Sequence, residues 1–355
     1  MKINKKTVLF IDHKFHQKTK STEFFIEILK KDFEVEEIWV DRWQGKGLIN
    51  LDKINSGKVD FVIFFQVLPP VEDLKKINKP IIWIPMYDQA VNYNRYFWKR
   101  LSSVQMKIIS FSSTLTKYLE DFGFDILSVR YFRDPGKFQQ VENKPGLKIF
   151  FWQRAGINFR HLKRLIGDAK VDTLYLKLDT DPGYKLVLPT SEDEKKFRIK
   201  KLGWFKDKAD LEKTLLKCNV FVAPRKYEGI GMSFLEAMTL GLAVIASDTP
   251  TMNEYITNQK NGYLFNFNHP STIDFSRLEN VMKNARLSCE TGYRKWLTDE
   301  KMIIRFIQSE PKSAKKISQF GLKYLAILEL LSKLFAIVIK SAKRIFLEII
   351  NGNIS

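Results

Sequence analysis

The stretch Asn219-Val-Phe-Val-Ala-Pro-Arg-Lys-Tyr-Glu-Gly-Ile-Gly-Met-Ser-Phe-Leu-Glu-Ala-Met-Thr-Leu-Gly241 decides the fold of this chain. It begins with an apolar run that is typical of a buried parallel strand. A helical pattern of apolar residues follows from Phe234 onward, and a second apolar run stands at Ala243-Val-Ile-Ala-Ser247. Strand, glycine turn, helix and strand form a βαβ unit, which predicts an α/β fold with a parallel sheet.

The glycine turn predicts a phosphate site. Gly229 and Gly231 stand where the predicted helix begins. Backbone N–H groups at a helix start have no intrahelical partner, and the helix dipole makes this end positive. The N–H groups near Gly231, Met232 and Ser233 can therefore bind an anion. Glycine turns of this kind are also common in α/β folds without any ligand, so the turn alone leaves both interpretations open.

Two carboxylates, Glu228 and Glu236, bracket the turn at a spacing of about two helical turns. This Glu-x7-Glu string resembles the signature of GT-B glycosyltransferases of family 4, the group 1 type. The continuation over residues 241–265, with its Asp-x-Pro-x3-Glu and Gly-Tyr-Leu-Phe strings, is similar to the same family. The resemblance is close over residues 200–266 and holds elsewhere only in outline.

The rest of the chain fits two α/β domains. Strand-like runs alternate with helical patterns before two Pro-Gly breaks, and a second α/β series follows them. The resemblance implies two Rossmann-like domains facing a cleft, the GT-B plan. The predicted parts are an acceptor-side domain at 1–135, a linker at 136–146, a nucleotide-sugar-binding domain at 147–312 and a basic amphipathic tail at 313–355.

Composition narrows the function class. A chain of 355 residues with 45% hydrophobic and 28% charged residues is globular and long enough for two cores. Two cysteines make no disulfide framework, and four histidines show no metal-ligand spacing, so we expect no bound metal. The apolar run after Met1 is too short for a signal peptide. These features predict a cytoplasmic protein.

The formal charge of +19 favours an anionic partner, which could be a phosphorylated substrate, an anionic membrane or nucleic acid. A lysine-rich solvated surface without such a partner is the alternative. The charge is spread along the chain and forms no basic block interleaved with aromatic residues. We therefore expect no nucleic acid as the main partner, and keep a basic nucleic-acid-binding protein as an alternative function.

The tail carries a helical stripe of apolar residues from Tyr324 to Ile349, with lysines and arginine on the other side. From Lys312 onward eight basic residues stand against two glutamates. Glu329 and Lys333 interrupt the apolar run, so the tail is not expected to span a bilayer. It fits a helix lying on an anionic membrane surface, peripheral at the inner face of the cell membrane. Packing on the catalytic domain and dimerisation are the alternatives.

The resemblance implies roles for residues of the second domain. Glu236 would accept hydrogen bonds from the ribose of a nucleotide sugar, and Glu228 would lie at the reacting centre as a catalytic residue. The nucleobase would lie against the aromatic loop of Trp204 and Phe205, whose side chains could equally be core.

A cation should stabilise the diphosphate leaving group. Arg154 follows the predicted strand 147–152 and matches the arginine that the family uses for this purpose. The family's lysine, a few positions later, has no match here. Arg160 or Lys163 could replace it.

The first domain departs from the family pattern. Its members commonly have a glycine pair after the first strand, where this chain has a loop containing His13 and His16. Many carry a histidine in a central loop, where Asp88 stands instead. Asp88 is the predicted catalytic polar group of this domain, and the two histidines are predicted to contact substrate.

These observations predict a retaining glycosyltransferase that needs no metal and moves a sugar from a nucleotide sugar to a glycan or polyprenyl-linked acceptor. Bacterial surface polysaccharide synthesis, of O-antigen, capsule or exopolysaccharide, is the expected setting. A non-catalytic sugar-nucleotide-binding protein on the same fold is a second alternative.

Overall fold

A computed structural model describes residues 5–41, 49–142, 145–154, 156–180, 183–205 and 207–350, without the side chains of 343–350. The chain divides into two compact units. The first consists of Met1–Ser110, Leu115–Leu127 and Ile303–Ser355, and the second of Phe111–Thr114 and Ser128–Met302. The predicted domain limits at 135, 147 and 312 stay predictions beside this division.

The first unit contains a six-stranded parallel sheet in the order β2-β1-β3-β4-β5-β6. Its strands are β1 Thr7–His13, β2 Glu34–Val40, β3 Phe61–Phe65, β4 Ile81–Ile84, β5 Met106–Ser110 and β6 Asp125–Ser128. The central strands β3, β4 and β5 are buried along their whole length, which explains why they contain almost only apolar residues. These strands account for the strand-like runs that the sequence predicted before the two Pro-Gly breaks.

Helices accompany this sheet. They are α1 Lys14–Thr19, α2 Glu23–Asp32, α3 Leu51–Ile54, α4 Val71–Leu74, α5 Tyr87–Ala90, α6 Arg95–Leu101 and α7 Ser113–Glu120. The strand order reverses between β1 and β3, which are neighbours although β2 separates them in sequence. Ligands of parallel sheets bind beyond the carboxyl ends of the strands at such a reversal. His13 and Gln66 lie at this point.

The second unit contains another six-stranded parallel sheet, in the order β12-β11-β10-β7-β8-β9. Its strands are β7 Leu147–Trp152, β8 Val171–Lys177, β9 Ile199–Leu202, β10 Val220–Val222, β11 Ala243–Ser247 and β12 Tyr263–Phe265. Its helices are α8 Phe159–Ile166, α9 Ser191–Lys196, α10 Lys208–Leu215, α11 Met232–Leu240, α12 Met252–Tyr255 and α13 Leu278–Gln308. This is the Rossmann strand order, with its reversal between β7 and β10.

The glutamate of the Asp-x-Pro-x3-Glu string has a structural role in this unit. The Glu254 carboxylate accepts hydrogen bonds from the Ser112 hydroxyl at 2.7 Å and from the backbone N–H groups of Ser113 and Thr114 at 2.7 and 3.0 Å. These bonds tie the short segment Phe111–Thr114 to the second unit.

Residues 278–308 and 319–350 are helical. Helix α13 continues across the division between the units at residue 303. The predicted tail helix is present as α14, Gln319–Ile350. Its buried Glu329 lies 3.0 Å from the guanidinium of Arg100 in α6, and the amide of Asn94 donates to the Glu329 carbonyl at 3.1 Å. The described residues include no helix long and apolar enough to cross a membrane.

Candidate functional site

The turn between β10 and α11 is where the sequence predicts a phosphate site. Gly231 precedes α11 with a φ of +79°, and a Cβ there would meet the ring of Phe234 at 1.9 Å. Only glycine fits these two conditions. Because glycine has no side chain, it cannot cap the first N–H groups of the helix. Met232 and Ser233 at this end are partly exposed, whereas the remainder of α11 is buried.

Glu236 is held by two cations. It lies in α11 at 7% exposure, and its Oε2 accepts a hydrogen bond from the guanidinium of Arg133. Its Oε1 is 3.7 Å from Nζ of Lys208. A carboxylate has about four acceptor positions, so Glu236 can still accept hydroxyl hydrogen bonds. No sequence pattern predicted the role of Arg133, which lies 103 positions earlier in the chain.

Two further predicted site residues lie on the turn between β10 and α11. Glu228 and Gly229 are buried, with Glu228 at 9% exposure. The backbone N–H of Glu228 points to the Pro250 carbonyl at 3.4 Å. The turn is therefore backed by the segment after β11. A catalytic role for Glu228 stays a prediction.

Arg154 lies in the loop after β7, at the same edge of the sheet. Its guanidinium carbon is 4.7 Å from the centre of the Trp152 ring. This loop approaches the loop after β10, since a Cβ added at Gly156 would be 3.8 Å from the backbone nitrogen of Lys226. Lys226, which the sequence reasoning missed, therefore stands beside the arginine loop. Its ammonium is 4.7 Å from the ring centre of Phe267.

The two replacements considered for the family's lysine do not fit equally. Nζ of Lys163 is 2.7 Å from Oδ1 of the buried Asp193. This ion pair already engages the ammonium, which makes Lys163 less suited to bind a ligand. Arg160 is exposed at the start of α8. Lys226 is a better candidate for the second cation because its loop touches the loop of Arg154.

An aromatic cluster lies at the ends of β7, β8 and β9. The buried ammonium of Lys177 is 4.2 Å from the ring centres of both Trp152 and Trp204. Phe205 is half-buried, with its ring 6.5 Å from that of Phe150. Trp204 is 78% exposed and is the aromatic surface of this loop that a nucleobase could reach. The predicted contact of Phe205 with the base stays a prediction.

The first unit has a cavity of about 610 Å³ at the strand reversal of its sheet. Its polar lining residues are His13, Gln66, Asp88 and Gln89. Its apolar lining residues are Val67, Leu68, Pro69, Pro70, Tyr93 and Phe97. The structure thus brings two predicted site residues, His13 and Asp88, to one cavity.

His13 and His16 have different hydrogen-bond roles. Nδ1 of His13 accepts from the N–H of Phe15 at 3.1 Å, so a neutral His13 carries its proton on Nε2. Burial, and secondly the charge of His16, lower the pKa of His13 from 6.5. Nδ1 of His16 is 2.8 Å from Oδ1 of the fully buried Asp12. His16 is not among the residues that line the cavity.

The residues that the structure describes include no group of three or more His, Cys, Asp or Glu side chains arranged for a metal ion. No metal ligands can be named among them. A reaction without metal stays a prediction.

Comparison with known proteins agrees with this architecture. Residues 192–289 match the family described as glycosyl transferases group 1. The matched segment runs from α9 into α13 and contains both Glu228 and Glu236. A curated relative is the GtfA subunit of UDP-N-acetylglucosamine–peptide N-acetylglucosaminyltransferase from Limosilactobacillus reuteri subsp. suis, with 37% identity over 79 residues. This match covers 21% of the chain and only 15% of that relative.

Solved glycosyltransferases share the fold along most of the chain. A glycosyltransferase from Rickettsia africae has 15% identity and a TM-score of 0.54, over 85% of this chain and 99% of the other. HepE from Anabaena, solved with UDP and glucose, has 13% identity and a TM-score of 0.54 over the same shares. Sucrose-phosphate synthase from Thermosynechococcus elongatus has 11% identity and a TM-score of 0.58, over 85% and 100%.

The group 1 resemblance and the GT-B fold predicted from the sequence are therefore confirmed. At these low identities the solved structures support the fold and nothing more specific. The roles of individual site residues stay predictions.

Proposed function

We propose that this protein is a glycosyltransferase that moves a sugar from a nucleotide sugar to a hydroxyl group of a glycan or lipid-linked acceptor. The observation that carries the proposal is the glycine-initiated N-terminus of α11. It lies beside the strand reversal of a Rossmann-ordered sheet, inside the segment that matches group 1 glycosyltransferases. The complex of HepE with UDP and glucose supports a UDP-sugar as the first donor to test.

The proposed site would stabilise the leaving group. When the bond between the sugar and the β-phosphate breaks, negative charge develops on the phosphate oxygen. Fixed N–H donors and cations at that oxygen lower the barrier. The N–H groups of Met232 and Ser233, with Arg154 and Lys226, would supply these charges. Glu236 would bind the ribose hydroxyls.

We further propose that the reaction retains the configuration of the sugar carbon, as the resemblance implies. The bond from that carbon to the acceptor oxygen forms on the face that the diphosphate leaves. The acceptor proton passes to the departing phosphate oxygen. Glu228 would lie near the sugar during this step. A nucleotide sugar is the co-substrate, and neither a metal nor another cofactor is needed in this scheme.

The tail supports a peripheral membrane location. Helix α14 exposes a row of large apolar side chains: Phe320, Tyr324, Ile327, Leu331, Leu334, Phe335 and Val338. From residue 333 to residue 342 every side chain is exposed. Such a surface, with its lysines, suits an anionic bilayer better than water. We propose the cytoplasmic face of a cell membrane, and synthesis of a bacterial surface polysaccharide. The basic residues Lys343 and Arg344 lie among side chains outside the described set.

A thermal-shift panel tests the donor site. UDP-, GDP-, ADP- and dTDP-sugars are added to the wild type, to Glu236→Ala and to the exposed control Glu192→Ala. A ligand that binds the native state raises the melting temperature. We expect one nucleotide sugar to stabilise the wild type and the control, and to stabilise Glu236→Ala less. If no nucleotide sugar stabilises the wild type, the proposal fails.

Follow-up measurements distinguish the proposed function from the two alternative functions. Binding of a nucleotide sugar without hydrolysis or transfer would indicate a non-catalytic member of the fold. Steeply salt-dependent binding of DNA or RNA, without affinity for nucleotide sugars, would indicate a nucleic-acid-binding protein.

The membrane proposal has its own test. Wild type, Phe335→Glu and the control Leu188→Glu are cosedimented with vesicles of phosphatidylglycerol or of phosphatidylcholine. Phe335 and Leu188 are similarly exposed, at 67% and 63%, and lie in different units. We expect only Phe335→Glu to lose binding to the anionic vesicles. If Phe335→Glu instead dissociates a dimer in sedimentation velocity, α14 is a dimer interface.

A further inference from the structure

The cavity of the first unit differs in chemistry from the phosphate site of the second. We propose that it binds an uncharged, hydroxyl-rich ring, that is, a neutral glycosyl unit, and rejects phosphate and carboxylate groups. The inference rests on the proposed function only in taking this unit as part of the acceptor. Four features of the lining carry it.

The first feature is charge. The chain carries a formal charge of +19, yet the described residues that line the cavity include no lysine and no arginine. The one carboxylate among them belongs to Asp88. Among the described lining residues, an anionic ligand would therefore find no cation to replace its lost hydration and would meet the carboxylate of Asp88.

The second feature is the set of hydrogen-bonding atoms. Asp88 contributes a carboxylate to the lining, and the neutral His13 carries its ring proton on Nε2. Oε1 of Gln89 is buried and accepts no hydrogen bond from any described residue, while the amide nitrogen of Gln89 donates to the Tyr93 hydroxyl at 3.1 Å. Buried acceptors call for a ligand that donates. Hydroxyl groups both donate and accept, whereas phosphate oxygens only accept.

The third feature is the wall. Tyr93 and Phe97 stack with ring centres 4.2 Å apart and planes inclined by 17°. Pro69 and Pro70 also line the cavity. Flat apolar walls with a few oriented polar groups are typical of small-molecule sites. A sugar ring has C–H groups on its faces and hydroxyls on its rim, which matches such a lining.

The fourth feature is the backbone at Gln66. This residue has a φ of +61°, in the left-handed region that glycine and asparagine favour. Its N–H donates to the Ile84 carbonyl at 2.9 Å, which fixes the strained residue between two strands. Strained conformations that the surrounding structure enforces occur preferentially at functional sites. Here the strain places the Gln66 side chain in the cavity lining.

Ligand-observed NMR on the full chain tests the inference. The probes are methyl glycosides of glucose, galactose, mannose and N-acetylglucosamine, compared with glucose 6-phosphate and glucuronate. The proteins are the wild type, Asp88→Ala, Gln89→Leu and Asp121→Asn, an exposed control after α7. We expect at least one neutral glycoside to show saturation transfer with the wild type and the control. Its affinity should fall about tenfold in Asp88→Ala, because a charge-assisted hydrogen bond is lost.

Two results would overturn the inference: no neutral glycoside binds the wild type, or a phosphorylated or uronic probe binds in an Asp88-dependent way. Melting curves verify that each variant is folded. Gln89→Leu is a second variant of the cavity lining, and it changes no charge. The nucleotide-sugar panel separates this inference from the proposed function. Nucleotide sugars that bind without any glycoside refute only the cavity assignment, and the reverse result refutes only the donor site.

Discussion

The two units have similar sheets but opposite chemistry at the ligand edge. Each sheet is parallel, has six strands and reverses its order next to its first strand. At that edge the second unit presents the start of α11 with Arg154 and Lys226. The first unit presents Asp88 and a neutral His13. In our two proposals the topology places each candidate site, and the side chains of the loops distinguish the ligands.

Each of the two ligand edges also contains a residue with positive φ, and the two residues are of different types. The second unit uses Gly231 at +79°, and the first uses Gln66 at +61°. Glycine at such a position is unstrained and lets a ligand approach the backbone closely. Glutamine is strained and contributes a side chain. The difference suits a backbone phosphate site in one unit and a side-chain site for hydroxyls in the other.

The largest predicted effect comes from Gly231→Ala. The left-handed backbone and the contact with Phe234 should together destabilise the native state by about 2–5 kcal/mol. Gly183→Ala is the matched control, because Gly183 has a φ of +86° with nothing within 4 Å of an added Cβ. It should lose about 1 kcal/mol from the backbone alone. Urea denaturation measures both, and equal losses would mean that the Phe234 contact is unimportant.

The cations of the second unit come next. Removing one charged hydrogen bond to a diphosphate should weaken UDP binding about tenfold. We expect this for Arg154→Gln and for Lys226→Gln in isothermal titration calorimetry. Arg160→Gln, an exposed arginine of the same unit, and Asp88→Asn, in the other unit, should bind as the wild type does. A tenfold loss in Arg160→Gln with none in Lys226→Gln would assign the second cation to α8.

The sequence predicted most of the sheet architecture, because buried parallel strands read as continuous apolar runs. It also predicted the turn at Gly231, because a glycine pair before a helical pattern is a local signal. Contacts between distant residues left no such signal. The pairing of Arg133 with Glu236 and the closeness of Lys226 to the loop of Arg154 depend on the folded backbone.

Gln66→Gly should separate stability from binding in the first unit. Relief of the left-handed strain is offset in part by the greater entropy of glycine in the unfolded chain, so the free energy of unfolding should rise by about 1 kcal/mol or less. Glycoside binding should weaken, because the side chain is lost from the lining. Urea denaturation and the NMR panel measure the two effects. A variant that is clearly less stable would show that the Gln66 side chain stabilises the fold.

The smallest effect concerns His13 and pH. Because burial lowers its pKa below 6.5, the unfolded chain binds a proton that the folded chain resists. Stability is then full above pH 6.5 and falls as the pH is lowered toward the folded pKa, by at most about 1.4 kcal/mol per pH unit. His13→Asn keeps an oxygen that can cap the N–H of Phe15 and removes this proton.

The variant should therefore lose less stability than the wild type between about pH 7 and pH 5.5 in urea denaturation, because the unfolded chain takes up its proton near the ordinary histidine pKa of about 6.5. The exposed His269→Asn should keep the wild-type slope. Residual dependence is expected from His161 in the second unit, whose pKa burial also lowers. If His13→Asn and the wild type lose stability equally, His13 is protonated in the folded state. The cavity would then carry a cation, and the contrast in charge between the two edges would disappear.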